Sequence, residues 1–139
     1  MNEQKNQALI QALYDAFGRG DVQTILNNLT GDVEWTMEGP AIIPFAGARK
    51  GPGEVLGFFE ALATTQTGQK LTIDYFVAQG DKVSSIGRYA GTVIATGKSF
   101  DTAVAHFFAI RDGKVSSFID IGDTAALVEA YTQTSAAGR

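Results

Sequence analysis

The sequence predicts an α+β fold in one domain over residues 1–139, with helices first and an antiparallel meander after them. Three observations carry this. Residues 3–17 place Leu9, Ile10, Leu13, Tyr14 and Phe17 on one helical stripe. Four apolar stretches, about 70–79, 82–95, 99–111 and 114–121, are joined by Gly80-Asp81, Thr96-Gly97 and Asp112-Gly113, each a hairpin signal. The last hairpin is apolar on both faces, so both faces need cover.

The first helix stops at Gly18 to Gly20. Asp21 caps a second short helix carrying Val22, Ile25, Leu26 and Leu29. Asp32 to Met37 reads as a short strand. Residues 39–53 hold Pro40, Pro44 and Pro52 among four glycines and read as a loop. Gly53 to Thr65 reads as a third helix, with Val55, Leu56, Phe58, Phe59 and Leu62 apolar. The meander follows, and Asp123 or Thr124 begins a last helix through Tyr131. The tail TSAAGR is expected to fray. A strongly curved sheet with helices across its concave side would enclose a pocket.

Composition narrows the function. An apolar fraction of 45% and an aromatic fraction of 10% suit a globular core. A net charge of −4, with no strongly basic stretch, argues against nucleic acid and acidic membrane surfaces as partners. The chain has no cysteine and one histidine, so no metal site or cofactor is expected. The polar N-terminus lacks a signal-peptide core, and no apolar run reaches membrane-spanning length, so a soluble, cytoplasmic protein is expected.

The single histidine, His106, and a carboxylate, Asp120, lie in the last hairpin, AHFFAIRDGKVSSFID. An imidazole and a carboxylate on adjacent strands can transfer protons if they share a face. A two-residue Asp112-Gly113 turn sets His106 opposite Ile119 and turns Asp120 to the other face. A three-residue loop, Arg111 to Gly113, sets His106 opposite Phe118, with Asp120 one diagonal step away on the same face. Both loops suit the residues. In the second arrangement Val104, Phe108 and Phe118 join His106 and Asp120, while Phe107, Ile119 and Ile121 face outward. One layer of helices covers one face, so a second copy of the chain is the expected cover for the other, giving a homodimer. A two-residue Thr96-Gly97 turn brings Tyr89 to the His106 face opposite Val104; a three-residue loop substitutes Arg88.

The order of helix, GRGD turn, DVEW, PFAGARKG, GRYAGTVIATGK, AHFFAIRDGKV and IDIGDTAAL resembles the SnoaL-like polyketide cyclases of the NTF2-like superfamily, which also holds ketosteroid isomerases and limonene-epoxide hydrolases. The resemblance spans roughly residues 5–130. It implies an NTF2-like (cystatin-like) cone-shaped barrel, a curved antiparallel sheet wrapped around N-terminal helices, with a deep apolar pocket and usually a homodimer. In cyclases of this type a histidine and an aspartate on the last two strands line the pocket, the aspartate as acid/base. His106 and Asp120 match those positions, and on that ground the resemblance favours the three-residue loop. The ketosteroid-isomerase base falls near Met37. Of the epoxide-hydrolase Asp-Arg-Asp set, the last matches Asp120 and the others fall near Gly87 and Tyr89. Trp35 falls where members place a large pocket wall.

These residues support a cofactor-free acid/base enzyme, an isomerase or cyclase working on an apolar, carbonyl-bearing small molecule by aldol-type cyclisation or double-bond isomerisation. Asp120 would move a proton α to the carbonyl; His106 would hydrogen-bond the enolate or orient Asp120; Tyr89 would assist. Trp35, Met37, Val104, Phe108 and Phe118 would bind the substrate. Each residue also has a plainer reading: His106 as a hydrogen-bonded core residue, Asp120 as a cap of the last helix, Trp35 and Tyr89 as packing. Tyr14 and Phe17 read as packing residues, and Arg49 and Lys50 as loop charges. The competing functions are a non-catalytic binding protein for a lipophilic ligand, and an interaction module whose pocket is plugged by aromatic side chains.

Overall fold

A computed structural model describes residues 2–133; the TSAAGR tail lies outside the described residues. The first two helices are α1 (Asn2–Gly18) and α2 (Val22–Asn27). Asp21 caps α2 by accepting from the Thr24 backbone N–H at 3.1 Å. Strand β1 (Leu29–Met37) starts earlier than the sequence suggested and takes Leu29 away from the helix.

The 39–53 segment is not all loop. Its second half forms β2 (Gly47–Lys50), antiparallel to β1 with Trp35 opposite Arg49. Arg49 donates to the Phe45 carbonyl at 3.0 Å and sits 5.7 Å from the Phe58 ring centre, so this charge clamps the preceding turn. Helix α3 (Gly51–Thr65) follows at once, with Pro52 in its first turn. The Glu54 carboxylate reaches back to accept from the Lys50 N–H at 2.7 Å.

The meander is β3 (Gln66–Gln79), β4 (Lys82–Val93), β5 (Ser99–Arg111) and β6 (Lys114–Gly122), closed by α4 (Thr124–Tyr131). Asp123 caps α4, accepting from Ala125 N–H at 3.1 Å, so Asp120 is not needed there. The six strands lie in the order β2-β1-β6-β5-β4-β3. The expected α+β architecture, a curved sheet with N-terminal helices, is present; it differs in detail, since β1 runs parallel to β6 and the sheet is mixed and unclosed rather than antiparallel throughout. Parallel pairing was invisible locally because the whole intervening chain forms the crossover.

Of the two turn readings of the last hairpin, the three-residue loop that the resemblance favoured is overturned, while the two-residue turn is present but without the parity expected of it. The turn is the two-residue one, with Arg111 opposite Lys114 and positive φ at Asp112 (54°) and Gly113 (76°). A bulge follows, because Ile110 faces Val115 while Ala109 faces Ser117. The extra residue restores the parity that the short turn would have lost. His106 therefore stands directly opposite Asp120, a closer relation than the diagonal one. Between β4 and β5 lie five residues, Ile94 to Lys98, and the Val93 N–H bonded to the Lys98 carbonyl closes a four-residue loop over Ile94 to Gly97. Parity matches a two-residue turn, so Tyr89 keeps the His106 face but lies opposite Thr102.

Along β5 the inward set is Phe100, Thr102, Val104, His106, Phe108 and Ile110, all buried. α1 packs on β3 and β4, α3 on β1 and β2, and α4 on β5. The outer face carries exposed Tyr75, Val77, Ile86, Phe107, Ile119 and Ile121. Cross-strand pairs Tyr75–Ile86 and Phe107–Ile119 spread these residues over four neighbouring strands.

Gly87 marks a close strand approach. A Cβ there would lie 2.0 Å from the Thr72 carbonyl oxygen. Gly87→Ala is expected to lose about 2 kcal/mol by forcing β3 outward, about 4–8 °C in melting temperature for a domain of this size. An unchanged melting temperature would contradict this packing.

Candidate functional site

Seen from the inner face, β5 and β6 set two polar side chains into an aromatic wall. The imidazole of His106 and the carboxylate of Asp120 are both buried, with Nε2 3.5 Å from Oδ1. That is ion-pair range but long for a good hydrogen bond. Asp120 makes no side-chain hydrogen bond to another protein group among the described residues, which leaves its carboxylate weakly satisfied.

The other imidazole nitrogen is firmly held. Nδ1 lies 2.6 Å from the Tyr14 hydroxyl, which lies 2.6 Å from Ser85 Oγ. Ser85 is buried and faces His106 across β4 and β5. A carboxylate near Nε2 favours the proton on that nitrogen, so Nδ1 accepts from Tyr14 and Tyr14 accepts from Ser85. Burial pushes the Tyr14 phenol well above its ordinary range; Ser85 pulls it down and the Asp120 charge adds to the rise. Tyr14 thus stays a neutral donor. Its ring also stacks near His106, with centroids 5.8 Å apart and planes 17° apart.

Sequence reasoning missed Tyr14 as a polar partner and passed over Ser85. A phenol on the buried stripe of α1 needs a hydrogen-bond partner, and that was the available signal. Ser85 shares inward parity with Tyr89.

The pair opens onto a cavity of about 80 Å³. Trp35, Tyr89, Val104, Phe108 and Phe118 line it with His106 and Asp120. Phe45, Phe58 and Phe59 complete much of the aromatic wall. Trp35 stacks on Phe118 with centroids 4.0 Å apart, and Phe118 lies 5.1 Å from His106. The pocket is therefore not wholly plugged. Met37 is a correction: it is buried and pairs with Asp120 across β1 and β6, but it is not among the cavity-lining residues.

Tyr89 lines the same cavity away from the pair. Its backbone partner Thr102 is four residues from His106, about 13 Å along a strand. Its hydroxyl donates to Gln66 Oε1, and Gln66 Nε2 donates to Tyr131 at 2.8 Å. Burial pushes the Tyr89 phenol up, against a lowering contribution from Gln69. Gly87 cannot carry a side chain, given the 2.0 Å approach of Thr72, so the epoxide-hydrolase acid has no room there. Among the described residues no group of three or more His, Cys, Asp and Glu side chains is placed to hold a metal ion, and no helix is long and apolar enough to cross a membrane.

A helix-covered curved sheet around such a pocket defines the NTF2-like class. The comparisons agree. An NTF2-like protein of unknown function from Burkholderia pseudomallei superposes with a TM-score of 0.85 at 27% identity, covering 91% of this chain and 97% of that one. An NTF2-like protein from Burkholderia thailandensis gives 0.85 at 30% identity with the same coverages, 91% and 97%. TerC, crystallised with polyporic acid, gives 0.82 at 30% identity, again covering 91% and 97%. No curated protein matches the sequence significantly. The SnoaL-like domain model matches residues 10–118, and the chain belongs to that family.

Removing the Tyr14 hydroxyl tests the polar chain. Tyr14→Phe keeps the ring and leaves Nδ1 and Ser85 unpaired, with an expected loss of about 1–3 kcal/mol in denaturant unfolding. Ser85→Ala removes only the outer link and should cost about 0.5–1.5 kcal/mol. A Tyr14→Phe protein as stable as the parent would contradict the assignment.

Proposed function

We propose that this chain is a cofactor-free acid/base enzyme, cyclase- or isomerase-like, acting on an apolar, carbonyl-bearing small molecule. One observation supports it most: a buried carboxylate without a hydrogen bond of its own faces an oriented imidazole at an aromatic cavity. In this reading Asp120 takes a proton from the carbon α to the carbonyl. The enolate oxygen is met by His106 Nε2–H, whose tautomer is fixed by Tyr14 at Nδ1. Asp120 then returns the proton at another carbon; alternatively the enolate carbon attacks a second carbonyl of the same molecule, and the alkoxide so formed takes the proton back from Asp120. Trp35, Phe108, Phe118 and Val104 hold the apolar body of the substrate, and Tyr89 bounds it further along. Co-crystallisation of TerC with polyporic acid supports a small organic ligand for this class of protein.

A second reading is a binding protein for a lipophilic molecule. Met37, near the position where the resembling isomerases hold their base, favours it.

The outer face supports a partner. We propose that Phe107, Ile119, Ile121 and Ile86 meet a second copy of the chain, since the helices cover only the inner face. Sedimentation at micromolar concentration should give a dimer, and Phe107→Asp should shift it to monomer; a monomeric parent would remove this proposal.

The catalytic reading is tested by deuterium exchange at the α-carbon of aryl ketones and β-diketones in D₂O, followed by NMR. The parent should accelerate exchange. Asp120→Asn should lose about 10²- to 10⁴-fold of that rate, while melting and ligand binding hold. Unchanged exchange in a folded Asp120→Asn protein would overturn the role of Asp120. Binding without exchange for any ligand would leave the binding-protein reading.

A further inference from the structure

We infer that Phe17 is the gate that decides which ligands reach the Asp120 carboxylate and how large they are. The inference rests on the proposed small-molecule pocket and adds its entrance. The inner cavity has about 80 Å³. A benzene ring sits in a cavity of about 150 Å³, so an aryl ketone cannot seat against Asp120 with every wall where it stands. Beside the inner cavity lies a wider vestibule of about 490 Å³. The two spaces share Tyr14, Phe17, Phe59, Leu62 and Leu71, which form the neck between them.

Four of these five side chains are tied down. The Tyr14 hydroxyl is held by Ser85 and His106, each at 2.6 Å. Phe59 and Leu62 are buried on α3. Leu71 belongs to β3 and pairs with Tyr89. Phe17 is the exception. It is half-buried in the last turn of α1, and its ring centre lies 6.1 Å from that of Phe59. The Gly18-Arg19-Gly20 turn follows, and a Cβ placed at Gly18 or Gly20 would meet nothing from other elements within 4 Å. The Phe17 ring thus has open room on the vestibule side. A rotamer change there widens the neck and leaves the Ser85–Tyr14–His106 chain in place.

Such a gate lowers apparent affinity and association rate in proportion to the fraction of molecules that stand open. It also discriminates by size. A ligand with one ring lets Phe17 swing back behind it, while a ligand with two rings holds Phe17 aside and reaches into the vestibule.

The probes are acetophenone and 2-acetylnaphthalene, read by stopped-flow quenching of Trp35, the only tryptophan and part of the inner wall. Phe17→Ala should bind 2-acetylnaphthalene about tenfold or more faster than the parent, the inverse of an open fraction of about 10% or less. Its gain in affinity should be larger for 2-acetylnaphthalene than for acetophenone. Phe17→Leu should fall between Phe17→Ala and the parent, and it carries the test alone if Phe17→Ala does not fold. Leu9→Ala, at a half-buried α1 position that lines neither space, should leave association unchanged. Unchanged association in the folded Phe17 variants, the same acceleration in Leu9→Ala, or equal affinity gains for the two probes would overturn the gate and leave the pocket standing. If neither probe perturbs Trp35 in the parent or in the Phe17 variants, the small-molecule pocket falls and this inference with it.

Discussion

The site depends on one register constraint, the bulge in β6 that sets His106 opposite Asp120. A carboxylate in an apolar wall is costly to bury without a partner. The two-residue turn alone would put Ile119 opposite His106 and turn Asp120 outward. The extra residue in β6 corrects the parity, and Val115, Phe118 and Asp120 all remain buried. The imidazole in turn needs an orienting partner. Tyr14 supplies it from α1, so the seating of that helix on β3 and β4 belongs to the same arrangement.

Around this pair the fold separates two polar chains by aromatic surface. One runs from Ser85 through Tyr14 to His106. The other joins Tyr89, Gln66 and Tyr131, and Tyr131 meets Thr65 Oγ1 at 2.8 Å. The second chain ties β3 and β4 to α4 and occupies the Tyr89 phenol. Its contribution is to fix Tyr89 in the cavity wall. Tyr14, by contrast, touches the imidazole itself. The two buried phenols thus take different parts, although burial raises both.

Much of the fold was legible because it is local. Apolar stripes, the Asp21 cap and the Gly80-Asp81 and Asp112-Gly113 turns fixed most elements. The parallel β1–β6 pair and β2 were not legible, since they depend on contacts across the chain that no local period reports. The candidate site was partly legible. His106, Asp120, Trp35 and Phe118 were found through strand parity and family resemblance. The bulge was missed because Ser116 and Ser117 carry no turn signature. Met37 was placed by analogy, and the structure keeps it outside the cavity lining.

A single histidine makes the central arrangement directly measurable. Nitrogen NMR of ¹⁵N-labelled His106 separates the two ring nitrogens. The expected spectrum shows the proton on Nε2 and a hydrogen-bonded, unprotonated Nδ1, with the signals altered in both Tyr14→Phe and Asp120→Asn. A proton resident on Nδ1, or two tautomers in exchange as in free imidazole, would contradict the Ser85–Tyr14–His106–Asp120 unit.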